Sequence, residues 1–400
     1  MNSILLNKRK NFLKDLSNKN LSNWLVVLGN QANDLDSLAS SIAFSQLFNG
    51  LPNSSSNLTP VAIVQSSRND INLRPENTLA LKLSNIDLNS LIFLSDIKNN
   101  LEYIQNFALV DHFQLDNLWK SNQSKILSVI DHHENPPKKP STAEVYDIRT
   151  PTGSCASLVT DNFKHIWSDN VDNEIGKSLA DLLIQAIVID TNNLKPHGKA
   201  QKVDHDAYQF LLPKSSFNNI NILSTEHNNP TIVLYDQLQE SKSDISSLDN
   251  LQLLRRDYKR VYTTKSIAIG LASVVTSMED WITVNSKNDY EAFNNDLKQF
   301  AENDDKNEGS LDLLGVLTSY NDPNTKEHKR QLLMYIPNQS KINLKVSTLI
   351  KNLEQDQTLK LSDLEISNNV DNDFKLYNQN NSHATRKQVM PIITNIIDNL

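Results

Sequence analysis

Runs of apolar, β-prone residues recur through the first half of the chain: WLVVLGN (24 to 30), VAIVQSS (61 to 67), LIFLSDI (91 to 97), FALVDH (107 to 112) and ILSVIDH (126 to 132). Helical periodicity alternates with them. Helices are predicted from about Ser37 to Leu47 and Ser154 to Trp167, and a longer one runs through SLADLLIQAIVID toward residue 190. Strands alternating with helices need crossover connections, so the sheet they build is mostly parallel and covered on both faces.

Four hundred residues exceed what one hydrophobic core usually covers, so two domains are expected. The polar, serine-rich stretch DQLQESKSDISSL (236 to 248) is read as a linker. It separates an N-terminal α/β domain, 1–240, from a smaller C-terminal α/β domain, 241–400. The second domain is predicted to hold a helix at LQLLRRDYKRV (251 to 261), strands at 266 to 275, 311 to 320 and 330 to 337, and helices near 279 to 301, 343 to 353 and 385 to 398. The Asn- and Asp-rich segments NNSH, NEGS and NNVDND read as surface loops.

The formal net charge of −8 argues against broad nucleic-acid binding, which draws on Lys and Arg neutralising phosphates. The eight glycines are scattered, so neither GxGxxG nor a P-loop occurs, and bound phosphate would have to be held by charge and metal. No apolar stretch reaches the length of a membrane span, and MNSILLNKRKNFLKDLSNKN lacks an apolar signal block. With a single cysteine, Cys155, these features lead us to expect a cytoplasmic protein with no membrane partner.

In an open parallel sheet, ligands bind beyond the carboxyl ends of the strands where strand order reverses. The ends of the apolar runs there carry Asn30, Asp34 and Asp36 (NQANDLDS), Asp111 and His112, Asp131, His132 and His133, and Asp190. Each has an ordinary alternative: Asp36 or Ser37 could cap the following helix, and the others could be strand exits. Together they form an acidic edge that would repel itself without cations among the carboxylates. Two divalent ions about 3.5 to 4 Å apart, activating a bridging water for phosphoryl displacement, are the chemistry such a set suits.

These segments resemble the four motifs of the DHH phosphoesterase superfamily: NDLDS the first, ALVDH the second, VIDHH the third and IVIDTNN the fourth. RRDYKRV (255 to 261) and HATRKQVMP (383 to 391) are similar to the lysine and Arg-Lys motifs of a branch shared by family II inorganic pyrophosphatases, cytosolic exopolyphosphatases and prune-type proteins. No GGGH-like segment of the oligonucleotide-cleaving branch is present. Family II pyrophosphatases carry histidine where this chain has Asn30, and with GSCASLV (153 to 159) this favours the exopolyphosphatases.

The resemblance implies an active site in a cleft between two domains. Asp34 and Asp36 would bind separate metals, Asp111 would bridge them, and His132 and Asp190 would complete the second site, with Asn30 a weak additional ligand. Catalytic roles fall to Asp111, His133 and Arg386; His133, Lys259, Arg386 and Lys387 would bind phosphate, and Asp131 would orient the loop or a histidine. Arg255, Arg256, Arg68 and Arg74 read as solvated surface residues, with lining a polyanion channel as the alternative. An amide oxygen in place of imidazole favours Mg2+, with Mn2+ or Co2+ as alternatives.

The expected reaction is release of orthophosphate from the ends of inorganic polyphosphate by a metal-activated water, in a monomer. Rival readings are a manganese-dependent inorganic pyrophosphatase and a prune-like phosphodiesterase or interaction protein. The short distance from RKQVMP to the end of the sequence favours the exopolyphosphatase.

Overall fold

A computed structural model describes residues 1–50, 58–97, 99–121, 123–134, 136–170, 173–219, 231–302, 309–366 and 370–400. Residues 307–308 of NEGS and 368–369 of NNVDND lie outside the described residues. The chain divides into two compact units, Met1–Lys242 and Ser243–Leu400.

The first unit is built on six parallel strands: β1 (Trp24–Leu28), β2 (Thr59–Val64), β3 (Ile92–Phe93), β4 (Asn106–Val110), β5 (Lys125–Asp131) and β6 (Val145–Ile148). Their order, β3-β2-β1-β4-β5-β6, reverses between β1 and β4. The central strands β1 and β4 are buried on both faces, and the pleat sorts the side chains by parity. Leu25, Val27, Ala108, Val110 and Ile130 share one core with helices α2 (Leu35–Leu47), α3 (Pro75–Leu83), α4 (Cys155–Asn170), α5 (Asn173–Asp190), α6 (Lys202–Leu211) and α7 (Ile232–Ser243). Val26, Leu28, Phe107, Leu109 and Val129 belong to a second core with Phe12 and Leu16 of α1 (Asn2–Ser17). Phe12 meets Trp24 edge to face, with ring centroids 5.2 Å apart. Each such side chain contributes roughly 1.5–3 kcal/mol on burial.

The second unit carries the sheet β13-β14-β12-β9-β8-β7. Its strands are β7 (Tyr258–Tyr262), β8 (Ala268–Val274), β9 (Leu313–Thr318), β12 (Gln331–Tyr335), β13 (Leu361–Asp363) and β14 (Phe374–Gln379); β10 (Tyr320–Asn321) and β11 (His328–Lys329) form a small separate hairpin. Only β8 and β9 pair in parallel. Ile269, Leu271, Leu317, Leu332 and Met334 pack with Leu349 and Leu353 of α11 (Val346–Glu354) and Val389, Ile393 and Ile397 of α12 (Arg386–Asp398). Helices α8 (Asn250–Arg256), α9 (Met278–Asp280) and α10 (Tyr290–Glu302) complete the unit.

Several expectations need correction. The supposed linker is helical up to Ser243, because Leu234 and Leu238, one turn apart, bury that face of α7 while its polar residues point outward. LQLLRRDYKRV is not one helix: α8 stops at Arg256, and Tyr258–Tyr262 pairs antiparallel with β8, so Lys259 stands on a strand. LIFLSDI keeps only Ile92–Phe93 as strand before a 3-10 turn at Leu94–Asp96. The helix near 279 to 301 is broken after a π-helical turn at Trp281–Asn285, where Lys287 and Asn288 take left-handed φ values of 54° and 61°; Asp289 then starts α10 by accepting from Ala292 N–H. Strands β6 and β14 and helices α1 and α3 carried too little periodicity to be predicted.

Candidate metal centre

The acidic motif residues collect where the strand order reverses. β1 runs into Gly29, whose missing side chain lets Ser37 approach: a Cβ there would lie 2.8 Å from Ser37 Cβ. Ser37 Oγ accepts from Asn30 N–H (2.8 Å) and donates to Asp111 Oδ2 (2.7 Å). The cap of α2 is Asp34, whose Oδ1 accepts from Ser37 N–H (3.0 Å). Asp36 and Ser37, caps of α2 on the ordinary alternative to a metal site, point elsewhere. Asp36 is buried and caps a different helix, α4, accepting from Ser154 Oγ (2.7 Å), Cys155 N–H (2.6 Å) and Ala156 N–H (2.8 Å).

Asp111 follows β4 in the left-handed region, φ 61°, and its N–H still bonds Ile130 O on β5 at 3.0 Å. The turn aims its carboxylate at the end of β5. Asn30 Nδ2–H donates to Asp111 Oδ2 (2.7 Å), while Asp111 Oδ1 lies 3.1 Å from His132 Nε2 and 3.8 Å from His133 Nδ1. Asp131 Oδ1 accepts from His132 N–H (2.7 Å) and His133 Nδ1–H (2.8 Å), so it both holds the loop and orients His133. Its second oxygen is buried without a partner. Asp111, Asp131, His132 and His133 offer ligand atoms all within 4.8 Å of one another.

Burial pushes the Asp36 carboxyl up, and Asp34 adds to this against the opposing pull of His132. Burial raises Asp111 well above the usual range, with Asp34 and Asp36 reinforcing it. Asp190, at the end of α5, is raised by burial and then by Asp36 and Asp34. Asp34, Asp36, Asp111 and Asp190 therefore share one field that disfavours their collective charge. Lys199 Nζ stands 3.8 Å from Asp190 Oδ2. No lysine or arginine pairs with Asp36, Asp111 or Asp131 among the described residues.

These residues fit a divalent cation. His132 Nδ1 lies 3.0 Å from the Thr152 carbonyl, which can only accept, so Nδ1 carries the proton. In the neutral ring Nε2 then presents a lone pair to Asp111 Oδ1 at 3.1 Å and Asp36 Oδ2 at 3.8 Å. A proton shared with Asp111 satisfies that one contact, whereas a divalent cation satisfies Nε2 and both carboxylates together. A carbonyl fixing the far nitrogen is the usual support of a metal-binding imidazole. Asn30 is placed less favourably: its Oδ1 accepts from Asn33 N–H (3.2 Å) and its amide faces Asp111 as a donor.

His133 is half exposed, and the hydrogen bond it donates to Asp131 raises its pKa, favouring the imidazolium. On the second unit, Lys259, exposed on β7, has its pKa lowered by partial desolvation and then by the charges of Arg386 and Lys387, which places the three in one field. Arg386 opens α12 and donates from Nη1 to Asp257 O and from Nη2 to Asp257 Oδ1, both at 2.7 Å. Asp257, Thr152 and Ser154 were missed by sequence reasoning. Only Asp257 left a signal, an acid two residues before Lys259.

Arg68 and Arg74 are partly buried and committed to partners within the first unit. Arg68 ties Asp96 (2.6 Å) to the carbonyls of Leu88 and Leu91, and Arg74 donates to Ala32 O (2.7 Å). Arg256 is buried, which also corrects its expected surface role. Among the described residues no helix is long and apolar enough to cross a membrane.

Comparison with known proteins accounts for this arrangement. Residues 24–187 match the DHH family N-terminal domain, and residues 236–396 match the DHHA2 domain. The chain is 30% identical over 384 residues to a Schizosaccharomyces pombe protein named "Putative exopolyphosphatase", covering 92% of this chain and 89% of that one. It is 26% identical over 380 residues to "Exopolyphosphatase PRUNE1" of Homo sapiens, covering 92% and 74%. A solved Methanococcus jannaschii structure, described as a "putative family II inorganic pyrophosphatase", covers 94% of this chain and 99% of its own with a TM-score of 0.54 at 16% identity, a likeness of fold. With two domain matches in order and a relative aligned over nearly its whole length, the chain belongs to the DHH phosphoesterase family, in the branch that carries a DHHA2 domain.

Proposed function

We propose that this protein is a metal-dependent exopolyphosphatase that removes terminal orthophosphate from inorganic polyphosphate. The observation that carries the reading is the His132 imidazole, held by Thr152 so that its other ring nitrogen faces Asp111 and Asp36. Asp34, Asp36, Asp111, His132 and Asp190 would hold two divalent ions, with Asp111 shared and Asn30 at most a weak contributor. The ions, when bound, supply an activated water and offset the charge of the phosphoanhydride. Mg2+ is preferred over Mn2+ or Co2+ because the position where pyrophosphatases place imidazole holds an amide.

His133, oriented by Asp131 and biased toward its charged form, would donate to a phosphate oxygen. Arg386, Lys259 and Lys387 of the second unit, residues 241–400 in this reading, would bind the phosphates: the arginine as a planar donor set, the lysines as point charges. The names of the S. pombe and PRUNE1 relatives support the substrate class. Asn30 speaks against the pyrophosphatase reading. The chain would act as a cytoplasmic monomer.

The test is phosphate release by purified protein with Mg2+ on long polyphosphate, tripolyphosphate, pyrophosphate and a cyclic nucleotide. Activity on the longer chains is expected. Activity confined to pyrophosphate, or to the cyclic nucleotide, would refute the assignment.

A further inference from the structure

One buried carboxylate outside the motif set is tied to both sides of the candidate metal centre. Asp204, on α6, is fully buried, and both its oxygens are engaged. Oδ2 accepts from Gly153 N–H (2.8 Å) and Gln201 N–H (2.7 Å); Oδ1 accepts from Ser154 N–H (3.2 Å) and Ser157 Oγ (2.6 Å). Three of these four donors lie in the segment that enters α4.

That same segment supports two of the candidate ligands. The Thr152 carbonyl fixes the His132 tautomer, while Ser154 Oγ and the N–H groups of Cys155 and Ala156 hold the Asp36 carboxylate. Asp204 thus binds Gly153 and Ser154, next to Thr152 on one side and Cys155 on the other. The fit leaves no slack: a Cβ on Gly153 would lie 2.6 Å from Thr191 Cγ2 and 2.8 Å from Asp204 Oδ2, so only glycine admits the carboxylate to the backbone.

We propose that Asp204 is a positioning residue for metal binding, setting the loop 152–156 so that His132 Nε2 and Asp36 present their lone pairs to one point. This rests on the reading of the acidic edge as a metal centre. The competing role is a helix cap at α4 and α6 that matters only for stability. The two differ in consequence: a cap variant loses stability and keeps its metal, whereas a misplaced loop loses metal affinity and the His132 tautomer.

The experiment titrates metal-stripped, full-length protein with Mn2+ by calorimetry and records the His132 imidazole nitrogen resonances without metal. It compares the wild type, Asp204→Asn and Asp181→Asn. Asp181 is a matched control in the same unit, buried and bonded through both oxygens to Ser216 N–H (2.6 Å) and Oγ (2.7 Å). Asp204→Asn is expected to weaken Mn2+ binding by about 10- to 100-fold and to populate the other His132 tautomer, as loss of an outer support does. Asp181→Asn should lose thermal stability with both readouts unchanged.

If Asp204→Asn fails to fold, Ser157→Ala, which removes one of the four bonds, should weaken Mn2+ about threefold, a modest share of the outer-support effect. Mn2+ affinity within twofold of wild type in the folded Asp204→Asn protein, or in Ser157→Ala if that variant stands in, would overturn the proposal, as would equal weakening in Asp181→Asn. A wild-type protein that binds no Mn2+ would instead overturn the metal-centre reading itself.

Discussion

The acidic edge of the first unit and the cationic corner of the second treat counter-charge in opposite ways. Asp36 and Asp111 are buried and Asp190 partly so, and their carboxyls are pushed up by desolvation and mutual repulsion. The cations of the second unit come with compensation: Arg386 is already paired at 2.7 Å with Asp257, and Lys387 is exposed to water. Asp36 and Asp111, which pair with no lysine or arginine among the described residues, are costly to bury charged unless a cation joins them, whereas a half-paired arginine is stable alone and still has donors to offer. On the proposed reading the first region would hold a metal tightly, and the second would bind a substrate that comes and goes.

The strongest way to break this contrast is Asp111→Asn. Turnover on polyphosphate should fall by about 10³-fold or more, the scale of losing a central electrostatic group, while the metal-free protein melts no lower than wild type because a repelling charge has gone. A large loss of metal-free stability would mean that Asp111 is only a structural anchor. Next is Arg386→Ala, for which kcat/KM should fall by roughly 10- to 100-fold, the worth of a charge-assisted hydrogen bond. Mn2+ affinity measured by calorimetry should not change, and a parallel loss of metal would erase the separation of roles.

Asn30→His sharpens the first region. Imidazole is the better ligand for the later divalent ions, so Mn2+ or Co2+ should bind about tenfold tighter and Mg2+ change little. No gain for Mn2+ or Co2+ would show that residue 30 touches no ion. The smallest effect is expected for Lys387→Ala: KM for long polyphosphate should rise about threefold and the effect should fade in salt, as for a screened exposed charge.

The parallel sheet and its acidic edge were legible because β-prone runs ending in Asp or His repeat along the chain, and the alternation with helices dictated strand ends facing one way. The identity of the helix cap was not legible. Asp34 and Asp36 are two residues apart, and only the packing of α4 against α2 and β5 shows that Asp36 turns from its own helix to the backbone of Cys155 and Ala156. Supports that act through backbone carbonyls, such as Thr152 under His132, leave no trace in residue type. Lys259 was recognised by motif yet assigned to a helix, because the turn at Asp257 depends on pairing with β8, a contact no local window contains.

The central claim is that the carboxyl edge of the first sheet holds divalent metal. Calorimetric titration of metal-stripped protein with Mn2+ tests it most directly. The account predicts two ions per chain in the wild type and fewer in Asp111→Asn. Absence of binding in the wild type, or identical stoichiometry and affinity in the variant, would contradict it.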